Sequence, residues 1–416
     1  MNIHRLFWTI LFVSNLASAQ VVTTAVPFLL IPASPEGNGL AGISSSVMTS
    51  DPFAMIANPG QLGMQSLSQY LGAGTTGKTL WLPAFNLSDV YILSRAGFIG
   101  VPVREFVDLP FGVSIGAGYS RVYLNLGQFA VTTTDPNILQ TFHGYEQSTA
   151  LSVGIGIEYG VRLGVGISTK SIESHLGGYY VSPGILFNSA SANPHAVDYG
   201  AILNAPIGEL IFDSHVLGAS NFHPLFDVNL SYGRSNIGGS VWYVDPGQLD
   251  PLPRLANLGA STELGLTYRG DLISWKLISC TIAREAYDLL VWKDQLGRFT
   301  YKNGSGNLSF FRNIIRGVGS DKLNIRKGVQ INLLEVAYAQ WGSMDEPGLN
   351  YTTTGLGVRL AGILKVTRLL QPSTGDSGIV AFLIRHIDLQ YCRSSYVGNE
   401  SPINGADFNG ISLIVR

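Results

Sequence analysis

Three features of this chain have the residue types and spacing of chemical sites. Gly72-Ala-Gly-Thr-Thr-Gly77-Lys78-Thr79 has the spacing of a phosphate-binding loop, with a G-x-G-x-x-G string inside it. Such a loop works when a buried strand precedes it and a helix follows, so that helix-terminal N–H groups meet phosphate. Here Leu80-Trp81-Leu82-Pro83 follows, and the proline cannot sustain that helix. Gly112-Val-Ser114-Ile-Gly116 has the spacing of a nucleophile elbow, which needs a strand-to-helix turn at the serine. The alternation of apolar and small residues runs straight through Ser114, which makes it a strand residue. His143, His175, His195, His215, His223 and His386 share no ligand spacing on one element. No paired carboxylates or Cys/His arrangement stands out. The residues predict a protein that is not an enzyme and has no cofactor, metal or nucleotide.

The elements around these strings are strands. In FGVSIGAGYS, Val113, Ile115, Ala117 and Tyr119 alternate with Ser114, Gly116, Gly118 and Ser120. In ALSVGIGIEYG, Leu151, Val153, Ile155 and Ile157 alternate with Ser152, Gly154, Gly156 and Glu158. Leu163, Val165 and Ile167 alternate in the same way with Gly164, Gly166 and Ser168. A period of two over this length gives strands with one apolar and one small or polar face. Segments of about ten such residues, separated by turns, are the signature of a transmembrane barrel. The other candidates are 90–99, 121–130, 197–204, 226–234, 239–244, 258–268, 273–284, 329–341, 353–364, 379–391 and 410–416. This predicts an all-β fold, a transmembrane antiparallel β-barrel of about 14 strands. Tight turns are expected at 159–161 and 235–238, and long loops at 132–147, 171–194 and 290–328. The last loop holds the densest run of Lys and Arg.

Composition agrees. Charged residues are 13% of the 416, against about 25% in soluble domains, while 49 are glycine. Past residue 20 no apolar run approaches the ~20 residues of a spanning helix. A net charge of -2 carries no nucleic-acid signal. Residues 1–19 read as a cleavable secretory signal: His4 and Arg5, an apolar core over 6–13, then Ala17-Ser-Ala19. The expected destination is the cell outer membrane, with its lipid bilayer as a partner. Cys280 and Cys392 are read as isolated thiols on barrel strands, which would pair only if neighbouring strands bring them together.

Ahead of the strands lies a stretch, 26–60, whose only charges are Glu36 and Asp51. Prolines at 27, 32, 35, 52 and 59 rule out one long helix. It is too apolar for an exposed tail and too broken to span a bilayer, so it is expected to plug the barrel near one rim. The expected division is 1–19 signal peptide, 20–65 plug and 66–416 barrel.

The plug's residues also carry a resemblance. Val26-Pro27-Phe-Leu, Gly37-Asn-Gly39-Leu-Ala-Gly42, Asp51-Pro52 and Asn58-Pro59-Gly60 resemble the opening of the PorV/PorQ family, outer-membrane proteins of the type IX secretion system within the FadL-like barrel superfamily. Later stretches, Asp198-Tyr-Gly-Ala201, Ser235-Asn-Ile-Gly238 and Asp250-Pro-Leu-Pro-Arg254, are similar to successive stations of that family. The resemblance implies a plug motif at Pro27, Gly37, Gly39, Gly42, Asp51, Pro52, Asn58 and Pro59. It also implies a non-enzymatic role in protein secretion, with secreted cargo C-terminal domains and other secretion components as partners. The alternative is a FadL-like passive channel for hydrophobic small molecules. The lumen decides between them: a channel needs an apolar pocket, a docking protein a closed barrel.

Overall fold

The computed structural model describes residues 24–132, 138–179, 188–211, 221–245, 247, 249–270, 274–293, 298–320, 323–346, 349–370, 378–398 and 402–416. The expected signal peptide lies outside these residues, as do His215 and Lys322. Fourteen strands form the wall: β1 Leu71–Thr76, β2 Tyr91–Pro102, β3 Gly112–Thr132, β4 Ile138–Tyr159, β5 Val161–Tyr179, β6 His195–Ala205, β7 Phe222–Gly238, β8 Leu255–Arg269, β9 Ser274–Leu289, β10 Leu323–Leu333, β11 Ala337–Glu346, β12 Leu349–Arg359, β13 Ile387–Val397 and β14 Asp407–Val415. Each pairs antiparallel with its neighbours in sequence. β1 pairs with both β2 and β14, with Leu71 opposite Ile99 on one side and Val415 on the other. The ring is therefore closed, so its backbone groups pair around the wall with no free edge, which a membrane-spanning sheet requires.

The side chains sort as the alternation predicts. Val153, Ile155, Val165 and Ile167 are exposed on the outside, while Gly154, Gly156 and Gly164 are buried and Gly166 half-buried on the inside. Among the described residues no helix is long and apolar enough to cross a membrane. The protein crosses with its strands. One rim carries the tight turns at 159–161 and 334–336; the longest connection, 290–322, lies at the other. The tight-turn rim also carries a helical excursion between β12 and β13.

Among the described residues six short α-helices occur: α1 Pro35–Gly39, α2 Ala54–Ala57, α3 Gly60–Gln65, α4 Ile207–Ile211, α5 Leu360–Leu370 and α6 Gly378–His386. The first three belong to residues 24–70, which thread the inside of the ring. Ala25 N–H donates to Pro251 O at the long-loop rim, and Tyr70 N–H donates to Val415 O at the tight-turn rim. The segment runs the height of the lumen instead of stopping near one rim.

The strand count is right, but the strands behind it differ. Residues 113–130 are one continuous strand, and 239–244 supplies only a two-residue bridge, Ser240–Val241, outside the ring. Residues 329–341 are parts of two strands joined by a turn in which Leu334 and Glu335 both have positive φ. The first strand, Leu71–Thr76, takes up Gly72 to Thr76 of the phosphate-loop string, so that part runs as barrel wall. Ser235-Asn-Ile-Gly238 continues β7 through a left-handed Asn236 instead of turning. Residues 138–147 and 171–179 are strand, not loop. There Tyr145 lies 5.9 Å from Tyr123 and 5.6 Å from His175 between ring centres, so aromatic pairs across strands hold the wall where it rises past its apolar belt. Arg326, expected in a basic loop, points into the lumen from β10 and is buried.

Candidate functional site

The site is the seam between residues 24–70 and the wall. Two patches of small residues make room for it on opposite sides of the ring. On β3 to β6, Gly116 pairs with Gly154, Gly154 with Gly166 and Gly166 with Gly200. α3 lies on this patch: a Cβ added at Gly154 would sit 2.5 Å from Gly63 N, and one at Gly164 2.3 Å from Gly60 O. Helix backbone touches strand backbone, which only glycine permits. Across the lumen, α1 and the turn after it press on Gly328, Gly342 and Gly355; a Cβ at Gly342 would lie 2.4 Å from Ala41 N.

Hydrogen bonds tie the segment to strands all round the ring. Thr353 Oγ1 donates to Gly39 O at 3.0 Å and accepts from Ala41 N–H at 2.9 Å. Tyr396 donates to Asn38 Oδ1 at 2.6 Å, and Gln390 to Ser50 Oγ at 2.7 Å. Ser114 donates to Gly63 O at 2.9 Å and Ser261 to Ser46 O at 2.7 Å. Glu285 Oε1 accepts from Ser45 N–H, Ser46 N–H and the Ser46 hydroxyl at 2.9, 2.7 and 2.8 Å. Its other oxygen accepts a hydrogen bond from the Tyr287 hydroxyl. Arg326 lies 4.0 Å over the Tyr287 ring and donates to Gly42 O at 3.1 Å. A buried carboxylate this fully bonded fixes position, since any partner removed leaves a desolvated polar group.

The motif residues fall at four places on this seam. Asn58 is fully buried; its amide donates to Ser45 Oγ and Ala201 O, both at 3.0 Å, and its Oδ1 accepts from Gly60 N–H at 2.9 Å. Pro59 leads into α3, its carbonyl accepting from Leu62 N–H at 3.1 Å. Gly37, Gly39 and Gly42 sit on the β10–β12 side, where Gly37 N–H donates to Ser34 Oγ at 2.7 Å and Gly42 takes φ 83°. Asp51 and Pro52 face β1, β13 and β14: Asp51 accepts from Ser34 and from Phe53 N–H at 3.1 Å, and Pro52 packs on Gly74. Pro27 is exposed and starts a single turn, Pro27–Leu30, at the long-loop rim.

The later stations also converge. Lys170 Nζ is 2.6 Å from Asp198 Oδ2 and donates to Asn236 Oδ1 at 2.9 Å. Asn236 N–H donates to Asp198 Oδ1 at 2.8 Å and its amide to Pro253 O at 3.0 Å. Beside them, Arg254 lies 3.8 Å over the Tyr301 ring.

Sequence reading did not single out Glu285, Tyr287, Thr353 or Tyr396. Each sits at an inward position of its strand, and for Thr353 and Tyr396 a polar residue at an inward position would have marked the site. Among the described residues no His/Cys/Asp/Glu group could hold a metal. Cys392 faces the lumen and Cys280 the outside; both are free, and the wall separates them. A cavity between the segment and the wall, lined by Pro35, Glu36, Asp51, Tyr338 and Cys392, has about 10 Å3, room for one water. A larger hollow, about 510 Å3, opens on the outer face of β8–β11 beside Trp341 and Ile282.

No model of a known protein family matches the chain, and no curated protein matches it. Among solved structures, the toluene transporter TodX of P. putida is similar over 91% of this chain and 96% of its own, with 12% identity and a TM-score of 0.37. A Pseudomonas aeruginosa FadL homologue is similar over 92% and 98%, with 11% identity and a TM-score of 0.34. The beta domain of the Bordetella autotransporter BrkA is similar over 84% and 99%, with 9% identity and a TM-score of 0.34. The barrel assignment rests on this chain's own closed ring of strands.

Proposed function

We propose that this protein is an outer-membrane barrel of the PorV/PorQ type, a docking component of type IX protein secretion that binds cargo C-terminal domains or other secretion components and performs no catalysis. The observation that supports this reading is that residues 24–70 thread the lumen. Residues 24–70 bond to both sides of the ring, and the cavity beside Glu36 and Asp51 holds about 10 Å3. A pocket for a small hydrophobic ligand occupies about 300–1,000 Å3. The lumen of a docking protein can be solid, because its binding surface is the rim and the loops. The order of the opening motif and of the stations at 198, 236 and 254 supports the same family. The test is co-purification from detergent-solubilised outer membrane of the native host. Secreted proteins retained through their C-terminal domains are expected. Recovery of the barrel alone, with uptake of hydrophobic small molecules by vesicles containing it, would favour the channel instead.

A further inference from the structure

α5 and α6 form a helical pair at the tight-turn rim, inserted between β12 and β13. Their position is fixed by the wall. A Cβ at Gly362 would lie 2.2 Å from Glu335 O, so α5 presses directly on the β10–β11 turn. Lys365 Nζ pairs with Glu335 and donates to Ser274 O at 3.1 Å, which ties α5 to the start of β9. His386 Nδ1 lies 2.7 Å from Arg416 O, which ties α6 to the end of β14.

Among the described residues, the opposite side of the pair is apolar and uncovered. On α5, Leu360, Ile363 and Leu370 recur at helical spacing and are exposed; on α6, Ile379 and Phe382 are. Leu370 and Ile379 are each 74% exposed, too much apolar surface for a water-facing turn. This face continues the lipid-facing belt. Val358 pairs with Tyr391 on the two strands that lead into the helices, and both are exposed on the outer face. Elsewhere on the same rim Phe106, Tyr159 and Ile211 are exposed, as in the aromatic and apolar girdle of a membrane interface. The charge agrees: with Lys365 paired to Glu335, the cations left on the two helices are Arg368 and Arg385, and the helices carry no Asp or Glu. Apolar side chains on one side and cations beside them are the pattern of a helix lying in a lipid headgroup layer.

We propose that α5 and α6 are an interfacial anchor, lying in the periplasmic leaflet of the membrane with Leu370, Ile379 and Phe382 among acyl chains and Arg385 at lipid phosphates. This stands on the barrel alone, whichever role the lumen serves. The anchor braces its rim at that rim's longest connection, residues 360–386.

The test uses nitroxide labels on the folded full-length barrel in vesicles of phosphatidylethanolamine and phosphatidylglycerol. Ile379→Cys, Phe382→Cys and, as a second helix, Leu370→Cys are made in a Cys280→Ser background, with Cys392 shut inside the lumen. Leu356→Cys, on the outer face of β12, is the lipid reference. Collision with oxygen should exceed collision with a water-soluble nickel chelate at 379, 382 and 370, as at 356. Nickel collisions dominating at the helix sites would overturn the proposal. So would shielding from both reagents, which would mean that protein, a partner or a second copy, covers the face.

Discussion

Ser46 donates twice to Glu285, through its backbone N–H at 2.7 Å and its hydroxyl at 2.8 Å, both to the same carboxylate oxygen. The two residues are 239 apart in sequence, and the pair joins the lumen segment to β9. Glu285→Ala leaves those donors and the Ser45 N–H without an acceptor inside the barrel. The expected cost is about 3–5 kcal/mol of docking free energy. Faster protease cleavage within residues 40–60, with the barrel still migrating as folded on a gel, is the expected result.

Asn58→Ala should loosen the opposite side of the same segment. It removes the acceptor of Gly60 N–H and the donors to Ser45 Oγ and Ala201 O. At about 1 kcal/mol per hydrogen bond the loss is about 3 kcal/mol. Hydrogen exchange at residues 57–63 should accelerate by about two orders of magnitude; unchanged exchange there would show that Asn58 does not hold the turn.

Adjacent positions on β4 should respond in opposite ways. Gly154→Ala places a Cβ 2.5 Å from Gly63 N, against backbone that cannot rotate away, so α3 must shift. Ile155→Ala should leave α3 in place, because that side chain faces out. Ile155→Arg near the midplane should instead cost about 2–4 kcal/mol of barrel stability, measured by refolding into vesicles.

Docking of the segment should weaken as pH rises. Asp51 lies outside the membrane-crossing strands; burial, then the neighbouring Glu36 carboxylate, pushes it from 3.8 up to about 7. Arg359, Ser34 and Phe53 N–H oppose that rise without cancelling it. Glu36 is raised by burial as well, which has the same sign. Below 3.8 both the docked and free forms of Asp51 are protonated. Between 3.8 and 7 the docked form holds a proton that the free form has lost, so docking weakens by about 1.4 kcal/mol per pH unit. Above that window this group adds no further loss. Protease clipping of the segment should be faster at pH 8 than at pH 5, and Asp51→Asn should flatten the difference.

Much of the wall was legible because lipid imposes a simple rule: each membrane-facing residue must be apolar. Val153 to Ile167 obey it, and both facing and period follow. The rule stops where lipid stops. Residues 141–147 are strand, but polar residues fall at both odd and even positions, so their period is lost. The turn at Leu334 and Glu335 has no Gly or Asn to announce it, although both residues adopt positive φ. In LAGILKVTRLL the apolar residues fit strand and helix alike; the chain turns helical at Leu360, with Gly362 close against Glu335. The opening stretch showed its character through proline and glycine, and its Asn58 is bonded on three sides. Its wall partners were hidden: Glu285 stands in Arg284-Glu-Ala-Tyr-Asp288, where residues 302–318 cover the outer face and bury both sides of the strand, so that alternation vanishes.

The central claim is that residues 24–70 close the lumen, and ion current tests it most directly. Intact protein in a planar bilayer should be nearly silent, with residues 28–60 protected from protease. Deletion of residues 28–60 should open a steady conductance, because the two glycine patches then face each other across water. Equal conductance before and after the deletion, with rapid clipping of the intact segment, would contradict the account.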